Sequence, residues 1–193
     1  LRPQPQRRRR ACRLAVQAAH QALLQQRQHR LARAEHPVQG VAGARALSAD
    51  FLAAARAVTT ARGAALIFDE VQCGMGRSGW PFVAQAAGII PDLLTTAKGL
   101  GGGFPVSAVL AQEHLAGKTG RNDMGTTFGG GPMAAVLVET VIDVIESNGL
   151  LARVRRLSRR IREECVTGPI ESVQGLGFLL GLQHALEADH LAA

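Results

Sequence analysis

The chain has 193 residues, 47% of them hydrophobic, enough for one ordinary domain or pieces of two. No apolar run is long enough to cross a bilayer and no charged-then-apolar leader opens the chain, so the expected setting is soluble and cytoplasmic, without a membrane. The net charge of +7 suggests a nucleic-acid partner until it is located: residues 1–33 hold nine arginines and no lysine, aspartate or glutamate, leaving 13 basic and 15 acidic residues to the rest.

That first segment, residues 1–33, carries the basic run Arg7 to Arg10 and helical spacing of Leu14, Ala18 and Ala22. Three readings stay open for it: a solvated or loosely helical tail, an arm for an anionic partner such as nucleic acid, or out-of-frame translation of GC-rich coding sequence. Ordered character is expected from about Glu35. Ser48 is a good helix N-cap, and Ala49 to Arg62 reads as a helix closed by Gly63, with Phe51, Leu52, Ala55 and Val58 as its apolar face. The run Ala64 to Phe68 before Asp69-Glu70 has the pattern of a buried strand in a parallel α/β sheet, which presents functional residues at its carboxyl end.

Leu93 to Thr96 predict another short strand, ending at Ala97-Lys98; the glycines 101–103 follow, and Val106 to Ala111 predict a further apolar strand. Pro132 suits the first turn of a helix running to Ser147, with Asn148-Gly149 as its stop and apolar residues on several faces, which predicts burial. An amphipathic, arginine-rich helix is expected over Leu150 to Cys165, and glycine-punctuated strands from Ile170 to Leu182. Cys12, Cys73 and Cys165 form no C-x-x-C pair, which argues against a disulfide framework and against a metal site. Cys73 reads as a small side chain in a loop, with a reactive role as the alternative.

Chemistry concentrates on Asp69 and Lys98, which close successive predicted strands. A neutral lysine amine is a Schiff-base nucleophile, and an enzyme using pyridoxal 5'-phosphate (PLP) also needs a carboxylate against the pyridine nitrogen. Neither residue is diagnostic alone, but their surroundings are patterned. The runs are Leu66-Ile67-Phe68-Asp69-Glu70-Val71-Gln72 with Gly74-Met75-Gly76-Arg77-Ser78-Gly79, then Pro91-Asp92-Leu93-Leu94-Thr95-Thr96-Ala97-Lys98 with Gly99 to Pro105, then Gly125-Thr126-Thr127-Phe128-Gly129-Gly130. In order and spacing they resemble the class III aminotransferases of PLP fold type I, and within these most resemble acetylornithine aminotransferases and their relatives of arginine and lysine metabolism. The likeness extends from about Pro37 to Leu182.

The resemblance implies an α/β fold: residues 34–148 as part of a PLP-binding large domain with a mainly parallel sheet, residues 149–193 as the start of a small carboxyl-terminal domain, and residues 1–33 as a segment outside the family pattern. It implies that Lys98 carries the cofactor as a Schiff base and shuttles the proton, that Asp69 pairs with the pyridinium nitrogen, and that Gln72 contacts the phenolic oxygen. Thr127 would bond the cofactor phosphate of the neighbouring subunit, the family site lying at a homodimer interface. The implied reaction moves an amino group from acetylornithine or a related ω-amino donor to 2-oxoglutarate.

The pattern is broken in places. His36 and Val41 stand where family members usually carry glutamates, Met124 replaces a common histidine, and Gly131 a common asparagine. The family's phosphate loop, its ring-stacking aromatic residue and its carboxylate-binding arginine are not found in the chain. A catalytically inactive remnant is therefore the second reading, and a basic-tailed nucleic-acid binder the third.

Overall fold

The structure, a computed structural model, describes residues 32–34, 36–40, 43–120, 123, 125–127 and 129–184. The expectations for Leu1 to Leu31, Glu35, Val41, Met124 and Phe128 lie outside the described residues.

Two short strands, β2 (Val38–Gln39) and β3 (Arg45–Ala46), pair antiparallel, and a four-stranded sheet organises the fold, in the order β1 (Ala32–Ala34), β4 (Leu66–Asp69), β5 (Leu93–Thr96) and β6 (Ala108–Ala111). The first three are mutually parallel, and β6 runs antiparallel to β5. Order was expected to begin near Glu35, but β1 lies before it and pairs Ala34 with Phe68. An Ala-Arg-Ala strand has no apolar run of its own, so it is defined by its neighbour's free edge and not by local preference. The expected strand over Val106 to Ala111 is shorter, starts at Ala108, and forms a solvent-exposed edge with Val109 63% exposed.

Ser48 caps the Ala49–Ala61 helix as expected: Phe51 N donates to its Oγ at 3.2 Å. The face that packs differs from the predicted one. Leu52 and Thr59 are buried and Ala55 is half-buried against the core, while Phe51 and Val58 are more than half exposed. Thr59 tolerates burial because its hydroxyl donates to the carbonyls of Ala55 and Arg56. Leu66 and Phe68 point inward from β4 and join Leu52, Ala84 and Leu94 in the main core. Ile67 and Asp69, on the other face, are half-buried, so β4 is not sealed on both sides as the continuous apolar run suggested.

Asp92 ties the amino ends of the strands together. Its Oδ2 accepts from Leu66 N at 2.6 Å and lies 2.9 Å from the Arg56 guanidinium, and its Oδ1 is 3.3 Å from His114 Nε2. A short helix Val83–Ala87 ends on Gly88 in the left-handed region, φ 65°, where a glycine is unstrained.

The Pro132–Ser147 helix starts and stops where predicted but is not buried as predicted. Only Ala134 is buried, and Met133 and Val136 are 66% and 60% exposed. It touches the turn at Lys98–Gly101 and the next helix, Leu150–Glu164, and its remaining apolar side faces outward. The arginines of Leu150–Glu164 are not all on a solvated face: Arg155 stacks over Trp80, 4.9 Å from the ring centroid, and donates to Gly79 O, while Arg162 donates to the carbonyls of Val173 and Gly175. Those carbonyls belong to a hairpin, β7 (Ile170–Leu176) and β8 (Leu179–His184). Its turn docks on the 77–78 loop, where Phe178 N donates to Arg77 O at 2.8 Å. A Cβ at Gly177 would lie only 2.6 Å from Ser78 Cα, so backbone meets backbone there and a side chain is excluded.

Candidate active site

Parallel pairing of β4 and β5 puts their carboxyl ends on one edge of the sheet, with Asp69 in register with Thr95. Asp69 is the last residue of β4, and Lys98 lies just past the end of β5, as the first residue of a 3₁₀ turn. Lys98 has φ +47°, the left-handed region, which costs a non-glycine residue about 1 kcal/mol or more and points the side chain where a regular strand exit would not. A strained lysine at a strand end is an observation from which function is sought.

Lys98 lines a cavity of about 330 Å³ with Gly40, Gln72 and Leu179, within the size range of small-molecule sites. Three parts of the chain meet there. Gln72 comes from the turn after β4, Leu179 from the carboxyl-terminal hairpin, and Gly40 from the turn after β2 (Val38–Gln39). A Cβ at Gly40 would collide with Gln72 Oε1, so the missing side chain is what admits the Gln72 amide.

Asp69 is on the same edge but does not line this cavity. Its Oδ1 accepts from Val71 N at 3.2 Å and lies 3.5 Å from His36 Nδ1, which is also 3.3 Å from the Asp69 carbonyl oxygen. Thr127, the fourth predicted site residue, is exposed in the loop before the Pro132–Ser147 helix. The structure thus brings Lys98 and Gln72 into one cavity, sets Asp69 beside it on the adjacent strand, and leaves Thr127 outside.

Glu70 is a residue whose role sequence reasoning missed. It is fully buried, and its carboxylate accepts from Val83 N at 2.7 Å and Ala84 N at 2.8 Å. Burial raises its pKa above the ordinary 4.5, and the two backbone donors and the Cys73 thiol oppose that rise. The Val83–Ala87 helix has no side-chain cap at Phe82, so Glu70 caps it from thirteen residues away and clamps the loop that follows Asp69. No local spacing rule announces such a cap. Cys73 is fully buried beside Val38 and Val83, and desolvation together with the Glu70 charge pushes its thiol up to about 12. Such a thiol is a packing residue and a poor nucleophile, which supports the plainer of its two readings.

Thr95 and Thr96, just before Lys98, have buried hydroxyls without a hydrogen-bond partner among the described residues. An amine in a strained conformation and an amide in one cavity, with a strand-end carboxylate on the adjacent strand, are a set of polar groups that fits a polar carbonyl cofactor.

Comparison with known proteins names the family. The model of the family "Aminotransferase class-III" matches residues 6–190.

The chain belongs to the class III aminotransferases.

The matched stretch begins inside the arginine-rich segment. Acetylornithine aminotransferase of Mycobacterium tuberculosis H37Rv is 45% identical over 157 residues, which cover 80% of this chain and 39% of that protein. Acetylornithine aminotransferase 1 of Pseudomonas syringae pv. tomato is 41% identical over 150 residues, covering 75% and 37%. Among solved structures, acetylornithine aminotransferase from Elizabethkingia anophelis superposes with a TM-score of 0.75 at 31% identity, covering 81% of this chain and 40% of that one. Ornithine aminotransferase from Toxoplasma gondii, described with partial occupancy of PLP at its active site, gives 0.73 at 27%, covering 81% and 38%. The chain therefore has the PLP fold type I architecture and spans about two fifths of the length of the relatives it matches.

Class III aminotransferases use PLP. Among the described residues, no helix is long and apolar enough to cross a membrane.

Proposed function

We propose that this chain forms the lysine-bearing part of a PLP site and takes part in transfer of an amino group from acetylornithine, or a related ω-amino compound, to 2-oxoglutarate. The observation that carries the reading is Lys98, held at φ +47° at the mouth of a cavity it shares with Gln72, one strand away from Asp69. PLP, when bound, supplies the electron sink that weakens the bonds at the amine-bearing carbon of the substrate. Lys98 Nζ would hold the aldehyde end of the cofactor and would be the group that moves the proton at the substrate's amine-bearing carbon. The Asp69 carboxylate would pair with the ring nitrogen and keep it protonated. Gln72 would donate its amide N–H to the phenolic oxygen, and Thr127 would donate its hydroxyl to the cofactor phosphate of a second subunit in a homodimer. Residues 34–148 then belong to the large domain, residues 149–193 begin the small one, and the setting is cytoplasmic. The donor is supported by the names of the relatives at 41% and 45% identity.

A non-catalytic remnant is the competing reading, favoured by one observation: Asp69 does not line the cavity that holds Lys98. The test is to add PLP to the purified chain, reduce with borohydride and map the labelled peptide. A label at Lys98 that disappears in Lys98→Ala supports the proposed function, and turnover with a panel of ω-amino donors then identifies the substrate. Absence of label, or label scattered over Lys98 and Lys118 alike, overturns it in favour of the remnant.

A further inference from the structure

We infer that His36 is a positioning residue for Asp69, an inference that rests on the cofactor reading above. His36 Nδ1 sits 3.3 Å from the carbonyl oxygen of Asp69 and 3.5 Å from its Oδ1, so one ring nitrogen addresses both the backbone and the side chain of the same residue. Carbonyl and carboxylate oxygens only accept, so Nδ1 carries the hydrogen. That fixes which end of the imidazole faces the strand, and the tautomer when the ring is neutral. The hydrogen bond goes to the Asp69 carbonyl oxygen, and the same nitrogen lies at ion-pair distance from Oδ1, so the ring approaches the last residue of β4 at two atoms.

The ring is well placed to do this because its backbone is pinned. Pro37 follows directly and disfavours helical backbone at His36. Pro37 and Val38 are fully buried, and Leu47 N donates to Pro37 O at 2.9 Å. The ring itself is 41% exposed, so packing covers only part of it, and its polar contact among the described residues is with Asp69. From the other side Val71 N also donates to Oδ1. One backbone donor on this oxygen and the His36 ring 3.5 Å from it, from residues on either side in sequence, restrict the rotation of the carboxylate about its own bond. A carboxylate that must meet a ring nitrogen benefits from that setting, because a free rotor has to be ordered when the cofactor binds.

The experiment compares PLP affinity, by equilibrium dialysis, and Lys98 labelling in wild type, His36→Leu and His36→Asn, with circular dichroism and thermal unfolding as a check on folding. Leucine keeps the bulk and removes the donor; asparagine offers an amide N–H near the position of Nδ1. The expected result is about tenfold weaker PLP binding in the leucine variant, as when a partner that orients a binding group is removed, with most of it regained in the asparagine variant. Long-range proton–nitrogen NMR of the cofactor-free protein is expected to find hydrogen on Nδ1. Unchanged affinity in His36→Leu, or a neutral ring with its hydrogen on Nε2, overturns the inference while labelled Lys98 leaves the cofactor reading standing. No label in wild type overturns the cofactor reading and takes this role with it.

Discussion

Replacing Glu70 tests whether the loop after Asp69 is held by a long-range helix cap. The two N–H groups it accepts are the first two of the Val83–Ala87 helix, and a five-residue helix has little stability of its own. Glu70→Ala leaves both donors buried without an acceptor, each costing about 1–3 kcal/mol, so a net loss of about 3 kcal/mol is expected after release of the carboxylate's desolvation cost. Glu70→Gln keeps one acceptor but turns an amide N–H toward the other donor, and about 1 kcal/mol is expected. The pH dependence has a definite sign. Because burial raises the folded-state pKa above 4.5, the folded chain binds more protons than the unfolded chain between 4.5 and that raised value. This contribution to stability is therefore full below 4.5, declines as pH rises through the window, and is absent in Glu70→Gln. Urea unfolding at several pH values, followed by the fluorescence of Trp80, the single tryptophan, reads both effects. With a slope of about 1–3 kcal/mol per molar urea, the alanine midpoint should fall by at least about 1 M. An alanine midpoint equal to wild type, or the same pH slope in the glutamine variant, would refute the clamp.

Two further predictions concern the site and its floor. Gly40→Ala should displace the flexible Gln72 amide with less than about 1 kcal/mol of stability change, yet weaken PLP binding severalfold; equal affinity by dialysis would show that Gln72 does not touch the cofactor. Cys73, with its thiol pushed up to about 12 and its side chain fully buried, should resist iodoacetamide at pH 8 and react once urea unfolds the chain, whereas Cys165 is half-exposed and serves as internal comparison. Rapid native alkylation mapped to Cys73 would show that this core opens readily.

Much of the local structure was legible because its signals act within a few residues. Ser48 offers an oxygen to an N–H three residues on, Pro132 fits a first helical turn, and Asn148-Gly149 ends that helix through Gly149 at φ 58°. Lys98, Asp69 and Gln72 were marked by their neighbours in sequence, and the structure adds that Lys98 is strained and that Gln72 reaches its cavity only because position 40 has no side chain. What a short window misjudged was which apolar surface would find a partner. Phe51 was expected on the inner face of its helix, and the Pro132–Ser147 helix was expected to be buried for its apolar residues on several faces; Phe51 and Met133 are exposed, because no described element packs over them, while Thr59 is buried once its hydroxyl is satisfied within its own helix.

The sequence by itself determined the three long helices and the Ser48 and Asn148-Gly149 signals at their ends, the strands that lead to Asp69 and Lys98, and the residue types available for chemistry, since dihedral preferences and side-chain reach are set within a turn or two of chain. Only the tertiary structure decided that Glu70 caps a helix thirteen residues away, that His36 grips Asp69 across thirty-three, and that Leu179 closes a cavity with Lys98. Those contacts depend on how separate elements dock, and docking is governed by the shape and burial of whole surfaces that no short stretch of sequence contains.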